Sequence, residues 1–131
     1  MQALILIAHG SRNEIANDEV KALAYQVGNL TVPQIVTYAF LGVIPPTLEE
    51  AIIQVIQSGA TQIDLLPLFL NTGKHVSKDI PSLLNEARQH YPDVMLRLLQ
   101  HIGSHTGFVA LIQAIAKHPE QYVVNNEEND G

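Results

Sequence analysis

Short apolar runs alternate with longer amphipathic stretches along the chain. Each run has the length of a β-strand, and the first three are almost continuously apolar, which is typical of strands buried on both faces of a sheet. The runs span residues 3–8, 34–41, 62–70 and 94–99. Because a helical stretch follows every run, the pattern predicts an α/β fold in which right-handed crossovers cover both faces of a four-stranded parallel sheet.

Four helices are predicted from apolar positions at helical spacing. The second has the clearest start, because Thr47 and Glu50 have the spacing of a capping box, and Gly59 ends it. The fourth carries an apolar face made of Phe108, Leu111, Ile112 and Ile115. The predicted helices occupy residues 13–29, residues 47–59, a stretch that begins near Ser77 or Asp79, and residues 106–119 approximately.

Chain length and apolar content predict a single domain with one core. The chain has 131 residues, of which 47% are hydrophobic. We expect the domain to span residues 1–119, and we expect the polar, acidic residues 120–131 to form a disordered tail. No apolar run approaches the ~20 residues of a membrane span, and residues 3–8 lack the basic flank of a signal peptide. A cytoplasmic protein with no membrane partner is therefore expected.

Charge and cysteine content narrow the possible chemistry. A formal net charge of −6 argues against a nucleic-acid partner, because nucleic-acid binding needs a basic surface. The chain has no cysteine, so disulfides, zinc ribbons and thiol catalysis are excluded. Any metal ion would have to be held by histidine, carboxylate or backbone oxygen atoms.

The candidate chemistry is concentrated in the loops that follow the first and third runs. Each loop contains a glycine, a histidine and basic residues. The polar residues are His9, Ser11 and Arg12 in the first loop, and Lys74, His75 and Lys78 in the second. With strand order 2-1-3-4, the two strand ends would lie roughly 5 Å apart at the edge where open parallel sheets bind ligands. Two imidazoles can then converge on one ion, and imidazole suits cobalt, nickel and iron.

Three segments carry the motifs of a known family. They are Ile7-Ala8-His9-Gly10-Ser11-Arg12, then Ala39-Phe40-Leu41, and Leu66-Pro67-Leu68-Phe69-Leu70 followed by Gly73-Lys74-His75-Val76 and Asp79-Ile80-Pro81. In order and spacing, these segments resemble the CbiX/SirB group of class II chelatases. The resemblance covers the chain from Leu4 to about Ile115, and it implies a single three-layer, chelatase/flavodoxin-like domain.

The resemblance also implies an activity and a set of site residues. It implies a lyase that inserts a divalent metal, Co²⁺ or otherwise Fe²⁺ or Ni²⁺, into sirohydrochlorin in cobalamin or siroheme biosynthesis. His9 and His75 would bind the metal and act in catalysis, one of them as the base that takes up a pyrrole proton. The metal is a substrate, and no organic cofactor is implied. Short members of the group work as homodimers.

The remaining polar residues of the two loops are candidates for binding the tetrapyrrole. Three of the seven lysine and arginine residues of this acidic chain lie there, namely Arg12, Lys74 and Lys78. A substrate rich in carboxylates explains that concentration, although solvated surface charges are an alternative interpretation. Ser11 is a candidate contact as well, and a turn or helix-cap role is favoured over a nucleophile because no Gly-x-Ser-x-Gly elbow surrounds it.

One position departs from the family pattern. The family commonly carries a metal-binding glutamate directly after the Phe-Leu of the second strand, and this chain has Gly42 there. The third ligand would then be absent, or it would come from water, the substrate or a second subunit. A non-catalytic metal- or tetrapyrrole-binding homologue is therefore the alternative hypothesis. A histidine phosphatase would need arginine at Ala8, and a receiver domain would need acidic residues at the end of the first strand.

Overall fold

The computed structural model of the protein describes residues 1–30, 35–42 and 44–121, and the side chain of His75 lies outside this description. The four predicted strands form one parallel sheet in the order β2-β1-β3-β4, which confirms the predicted α/β fold and strand order. The strands are β1 (Gln2–Ala8), β2 (Ile35–Phe40), β3 (Gln62–Pro67) and β4 (Met95–Leu98). The first residue predicted for β2, Gln34, and the tail from residue 122 onward lie outside the described residues.

Four α-helices and two short helical turns connect and follow the strands. The helices are α1 (Glu14–Leu30), α2 (Leu48–Gln57), α3 (Ile80–His90) and α4 (Thr106–Lys117). A π-helical turn (His75–Asp79) leads into α3, and a 3₁₀ turn (Ile102–Ser104) leads into α4. No helix within the described ranges is long and apolar enough to cross a membrane.

The capping box predicted at the start of α2 is present. The amide of Glu50 donates to the Thr47 hydroxyl oxygen at 3.1 Å, and the Glu50 carboxylate accepts from the Thr47 amide at 2.9 Å. Two amides of the first turn, which have no partner within the helix, are satisfied in this way. The sequence pattern therefore fixes where α2 begins.

The main core lies between the sheet and the helices α2 and α3. Alternate residues of a strand face opposite sides of a sheet, so every second residue of β1 and β3 points to this layer. The largest side chains of the layer are fully buried, and they are Ile5, Ile7, Ile63 and Leu65 of the sheet, Leu48, Ile52 and Val55 of α2, and Ile80 of α3. This layer fixes the positions of the strand ends that carry the candidate site.

The third strand is shorter than the apolar run that predicted it. The run extends to Leu70, whereas β3 ends at Pro67. Proline has no amide hydrogen to donate to the neighbouring strand. The last bond to β1 comes from the Leu68 amide, which donates to the Ile7 oxygen at 2.8 Å. The apolar residues beyond it therefore belong to the loop at the carboxyl edge of the sheet.

The opposite face of the sheet is covered by α1 on one side and carries an ion pair on the other. There α1 packs against β2 and β1, and Ala24 of α1 is buried. On β3 and β4, Asp64 and Arg97 are direct partners in register and form an ion pair with N–O distances of 2.6 and 2.8 Å. The hydrogen bond with Asp64 raises the pKa of Arg97, and the negative charge of Asp64 raises it further. A bidentate pair thus links these two strands on this face.

The fourth helix presents its apolar residues to solvent. It forms where it is predicted, but it contains no buried residue. The side chains of Val109, Leu111, Ile112 and Ile115 are each more than half exposed. Within the described part of the chain, most of the apolar face read from the sequence therefore stays exposed.

Candidate active site

The candidate site is a cleft at the carboxyl edge of β1 and β3. His9 follows β1 and is exposed, and the loop after β3 lies beside it. The cleft has a volume of about 400 Å³ and is lined by His9, Leu68, Phe69, Leu70, Asn71, Gly73 and Val76. A separate cavity of about 280 Å³ lies between α2 and α3, and none of the predicted site residues lines it. Of these two cavities, only the cleft beside β1 and β3 is lined by a predicted site residue, His9.

The backbone on both sides of His9 lies against the end of β2. Before it, the Ala8 oxygen accepts from the Leu41 amide at 2.9 Å. After it, Gly10 has a φ of +83°, a conformation that residues with a side chain rarely adopt, and a Cβ there would lie 3.0 Å from the Cβ of Phe40. The glycine allows the chain to turn sharply against β2. This turn places the His9 imidazole at the strand end.

An aromatic ring packs against the His9 imidazole. The centroids of the His9 and Phe69 rings lie 4.5 Å apart, and the ring planes are inclined by 39°. This is within the range of favourable aromatic pairs. Phe69 lies in the segment Leu66-Pro67-Leu68-Phe69-Leu70, but no role is predicted for it, because an apolar run does not reveal which ring contacts a histidine from another strand.

Ser11 is part of a hydrogen-bonded turn that starts α1. Its hydroxyl oxygen accepts from the Asn13 amide at 3.0 Å, which is the geometry of a turn residue. Its backbone is bound twice by Asn17, whose carboxamide accepts from the Ser11 amide at 2.9 Å and donates to the Ser11 oxygen at 2.7 Å. Asn17 is buried, and sequence reasoning missed it. The available signal was a polar side chain beside the predicted apolar face of α1.

The three basic candidates are all exposed. Arg12 follows Ser11 in the first loop, Lys74 directly precedes the π-helical turn, and Lys78 lies within that turn. Exposed ammonium and guanidinium groups can reach carboxylates of a ligand that lies over the edge of the sheet. All three lie in the loops that follow β1 and β3, as the sequence indicates.

The helical winding before α3 begins at His75, earlier than predicted. Residues His75–Asp79 form a π-helical turn, and the Ser77 amide donates to the Gly73 oxygen at 2.9 Å. Short π-helical segments are rare and occur frequently at functional sites. Asp79, the residue before α3, has a helical φ of −68° and ψ of −47°, and its side chain makes no cap hydrogen bond to the helix.

The predicted meeting of two imidazoles involves a side chain that lies outside the described part of the structure, that of His75. Among the described residues, no group of three or more histidine and carboxylate side chains is arranged to hold a metal ion. The position of the family glutamate is occupied by Gly42, which has a φ of +109°. A Cβ at Gly42 would meet no atom within 4 Å. Space for a longer side chain therefore exists at this position, although its backbone favours glycine.

Comparison with known proteins identifies the family and the fold. The family model described as CbiX matches residues 3–118. The chain is similar to a putative cobalamin (vitamin B12) biosynthesis CbiX protein from Marinobacter aquaeolei, with 25% identity and a TM-score of 0.76 over 89% of this chain and 95% of that chain. It is also similar to the sirohydrochlorin chelatase SirB from Bacillus subtilis subspecies spizizenii in complex with cobalt, with 30% identity and a TM-score of 0.74 over 88% and 50% of the two chains.

Curated relatives with stated activities match a shorter part of the chain. The sirohydrochlorin cobaltochelatase of Methanococcus aeolicus is 34% identical over 92 residues, which are 69% of this chain and 64% of the relative. The sirohydrochlorin ferrochelatase of Priestia megaterium is 36% identical over 95 residues, which are 72% of this chain and 35% of the relative. The chain thus spans less than two thirds of the length of these relatives. Since the family model matches residues 3–118 of the 131 in the chain, the chain belongs to the CbiX family.

Proposed function

We propose that this protein inserts a divalent metal ion into sirohydrochlorin. The observation that carries the proposal is the exposed His9 imidazole, which lines a cleft of about 400 Å³ at the carboxyl edge of the sheet in a member of the CbiX family. Co²⁺ is the metal we favour, with Fe²⁺ or Ni²⁺ as the other candidates. Relatives named as cobaltochelatase and as ferrochelatase support a divalent metal substrate, and one similar structure is a complex with cobalt.

The proposed reaction requires groups that hold a metal and accept protons. The metal loses water ligands, two pyrrole N–H protons leave, and the macrocycle nitrogens take over the ion. Neutral imidazole can bind the metal and can also take up a proton, so we assign metal binding and catalysis to His9 and His75. The packing of Phe69 against His9 and the helical turn that starts at His75 support a site built from these two loops.

The substrate is proposed to bind across both loops. Tetrapyrroles of this class carry several carboxylates, which pair well with arginine and lysine. We assign these contacts to Arg12, Lys74 and Lys78, and a further contact to Ser11. The exposure of the three basic side chains, in the two loops that follow β1 and β3, supports this assignment.

A metallation assay tests the proposal. The visible spectrum of sirohydrochlorin with Co²⁺ should change faster with the protein than without it. His9→Ala and His75→Ala should each remove the acceleration, because each deletes a proposed metal ligand. His90→Ala is the matched control, since His90 is exposed at the end of α3, away from the cleft. The proposed activity would be rejected if the wild-type protein did not increase the rate above that without protein. Full activity of His9→Ala or of His75→Ala would show that the replaced histidine is not part of the active site.

A non-catalytic homologue that binds a metal or a tetrapyrrole is the second candidate. The specific observation in its favour is Gly42, which stands where the family commonly carries a glutamate. Such a protein would bind Co²⁺ or sirohydrochlorin without accelerating metallation. The two candidates therefore differ in the rate of the assay and not in binding.

We further propose that the protein works in the cytoplasm as a homodimer. The resemblance to short family members implies this assembly, and the exposed apolar side chains of α4 support it. Leu111, Ile112 and Ile115 are each more than half exposed, and removing such apolar surface from water favours association. We assign the apolar face of α4 to the contact between the two copies.

A further inference from the structure

The backbone around Phe69 is fixed from two sides. On one side, the Leu68 amide donates to the Ile7 oxygen of β1 at 2.8 Å. On the other side, the Phe69 oxygen accepts from the Gly103 amide of the 3₁₀ turn at 3.0 Å. A shift of Phe69 relative to the sheet would break at least one of these bonds. The loop after β3 is thus anchored at this residue.

The second anchor depends on a glycine. A Cβ on Gly103 would overlap the backbone oxygen, carbonyl carbon and Cα of Leu70. Backbone atoms cannot yield as the end of a flexible side chain can. The 3₁₀ turn therefore reaches the Phe69–Leu70 segment only because residue 103 has no side chain.

The ring of the anchored residue meets the candidate metal ligand. Phe69 is half-buried, and its ring centroid lies 4.5 Å from that of His9. His9 itself is exposed, and the adjacent Phe69 ring excludes the orientations of the imidazole that would overlap it. Ordering a side chain before a ligand arrives reduces the entropic cost of binding. The contact thus limits the orientations that the imidazole adopts in the cleft.

We propose that Phe69 is a positioning residue that orients the His9 imidazole, and that Gly103 keeps Phe69 in place through the backbone contact of the 3₁₀ turn. This inference rests on the proposed role of His9 in metal binding. It links the loop after β4, which does not line the cleft, to the histidine that follows β1. The orientation of His9 then depends on three strand ends instead of one.

The first test follows the imidazole of His9 directly by NMR spectroscopy of the protein with isotope-labelled histidine. The chain has six histidines, so the His9 signal is assigned from its loss in His9→Gln. Phe69→Leu should move the His9 ring resonances toward those of an exposed histidine, because the ring current is lost. Phe69→Tyr should preserve them, and the control Phe108→Leu, on α4, should leave them unchanged. Unmoved His9 resonances in Phe69→Leu would overturn the proposal.

The second test measures Co²⁺ binding by titration, without tetrapyrrole. Phe69→Leu should weaken the affinity by about two- to tenfold, the effect of one aromatic contact, while Phe69→Tyr should restore it. Equal affinities for Phe69→Leu and the wild type would contradict a positioning role. A wild-type protein that binds Co²⁺ tightly but does not metallate sirohydrochlorin would refute the proposed enzyme and leave this inference standing. A wild-type protein that binds no Co²⁺ would overturn both.

The third test uses two glycines that precede or begin α4. Gly103→Ala should move the His9 resonances in the same direction as Phe69→Leu, although Gly103 does not touch His9 in the proposed chain of contacts. Gly107→Ala is the matched control, because a Cβ there meets no atom within 4 Å. A folded Gly103→Ala variant with native His9 resonances would exclude the link through the 3₁₀ turn. If Gly103→Ala does not fold, the His9 resonances and the Co²⁺ affinities of the Phe69 variants decide whether Phe69 orients His9.

Discussion

At the scale of single residues, the candidate site depends on His9 and on Gly10, the glycine that lets the chain turn after it. A histidine at the mouth of an apolar run is visible in the sequence, and the glycine after it indicates a sharp turn. The structure explains the glycine by its φ of +83° and by the closeness of Phe40. Phe69 and Asn17 could not be predicted in the same way. Their importance arises from contacts with residues that are remote along the chain or lie in an irregular turn, which hydrophobic periodicity does not encode.

Gly42 is the residue whose replacement best separates the two candidate functions. Gly42→Glu should increase Co²⁺ affinity by roughly tenfold, because one added partner in a metal site contributes on this scale. The metallation rate should rise with it if the present site merely lacks a ligand. The side chain has room, but the φ of +109° strains any residue other than glycine.

The backbone strain at position 42 calls for a matched variant in the same assay. Gly42→Ala carries the same backbone strain but lacks the carboxylate. The ratio of Co²⁺ affinities, and of metallation rates, between the Glu and Ala variants therefore measures the effect of the carboxylate alone. Equal Co²⁺ affinity and equal rates for the two variants would show that residue 42 is outside the metal site.

At the scale of helices and strands, the signals that are local in sequence were the informative ones. The capping box of α2 is set by two residues three positions apart, and it formed as predicted. The end of β3 and the π-helical turn were not predicted. The first depends on where the ladder of backbone hydrogen bonds stops, which an apolar run that continues to Leu70 does not reveal. The second depends on a hydrogen-bond pattern that apolar spacing does not distinguish from an α-helix.

The capping interaction allows a stability prediction for α2. Thr47→Ala removes the acceptor of the Glu50 amide and should lower the free energy of unfolding by ~1 kcal/mol. Thr106→Ala is a suitable control, because Thr106 is the exposed first residue of α4, whose N-cap makes no side-chain hydrogen bond. Its replacement should change stability by less than about 0.5 kcal/mol. Urea unfolding measures both, and equal losses would argue against a capping role for Thr47.

At the scale of the whole molecule, the strand order followed from the sequence because alternation and the handedness of crossovers leave few topologies. The exposure of the apolar side chains of α4 could not be predicted in this way. An apolar face predicts that a surface will be buried, but not whether the same chain buries it. The side chains of Ile112 and Ile115 show this difference, since both remain more than half exposed.

The proposed homodimer predicts an effect of charge on the α4 face. In sedimentation experiments the wild-type protein should have twice the mass of one chain, and Ile112→Arg should have the mass of one chain, because a buried unpaired charge is costly. Ile15→Arg is the control, since Ile15 is an exposed apolar residue of α1. A dimeric Ile112→Arg variant would place the contact elsewhere, and a monomeric wild type would reject the homodimer.

The outermost strand β4 has only four residues, and its centre carries Arg97, whose guanidinium is already bound to Asp64. Short, charged borders of this kind discourage further strands from joining the ladder. Copies of this chain should therefore not extend the sheet through the β4 border. The protein should accordingly resist fibril formation through this border, even at high concentration.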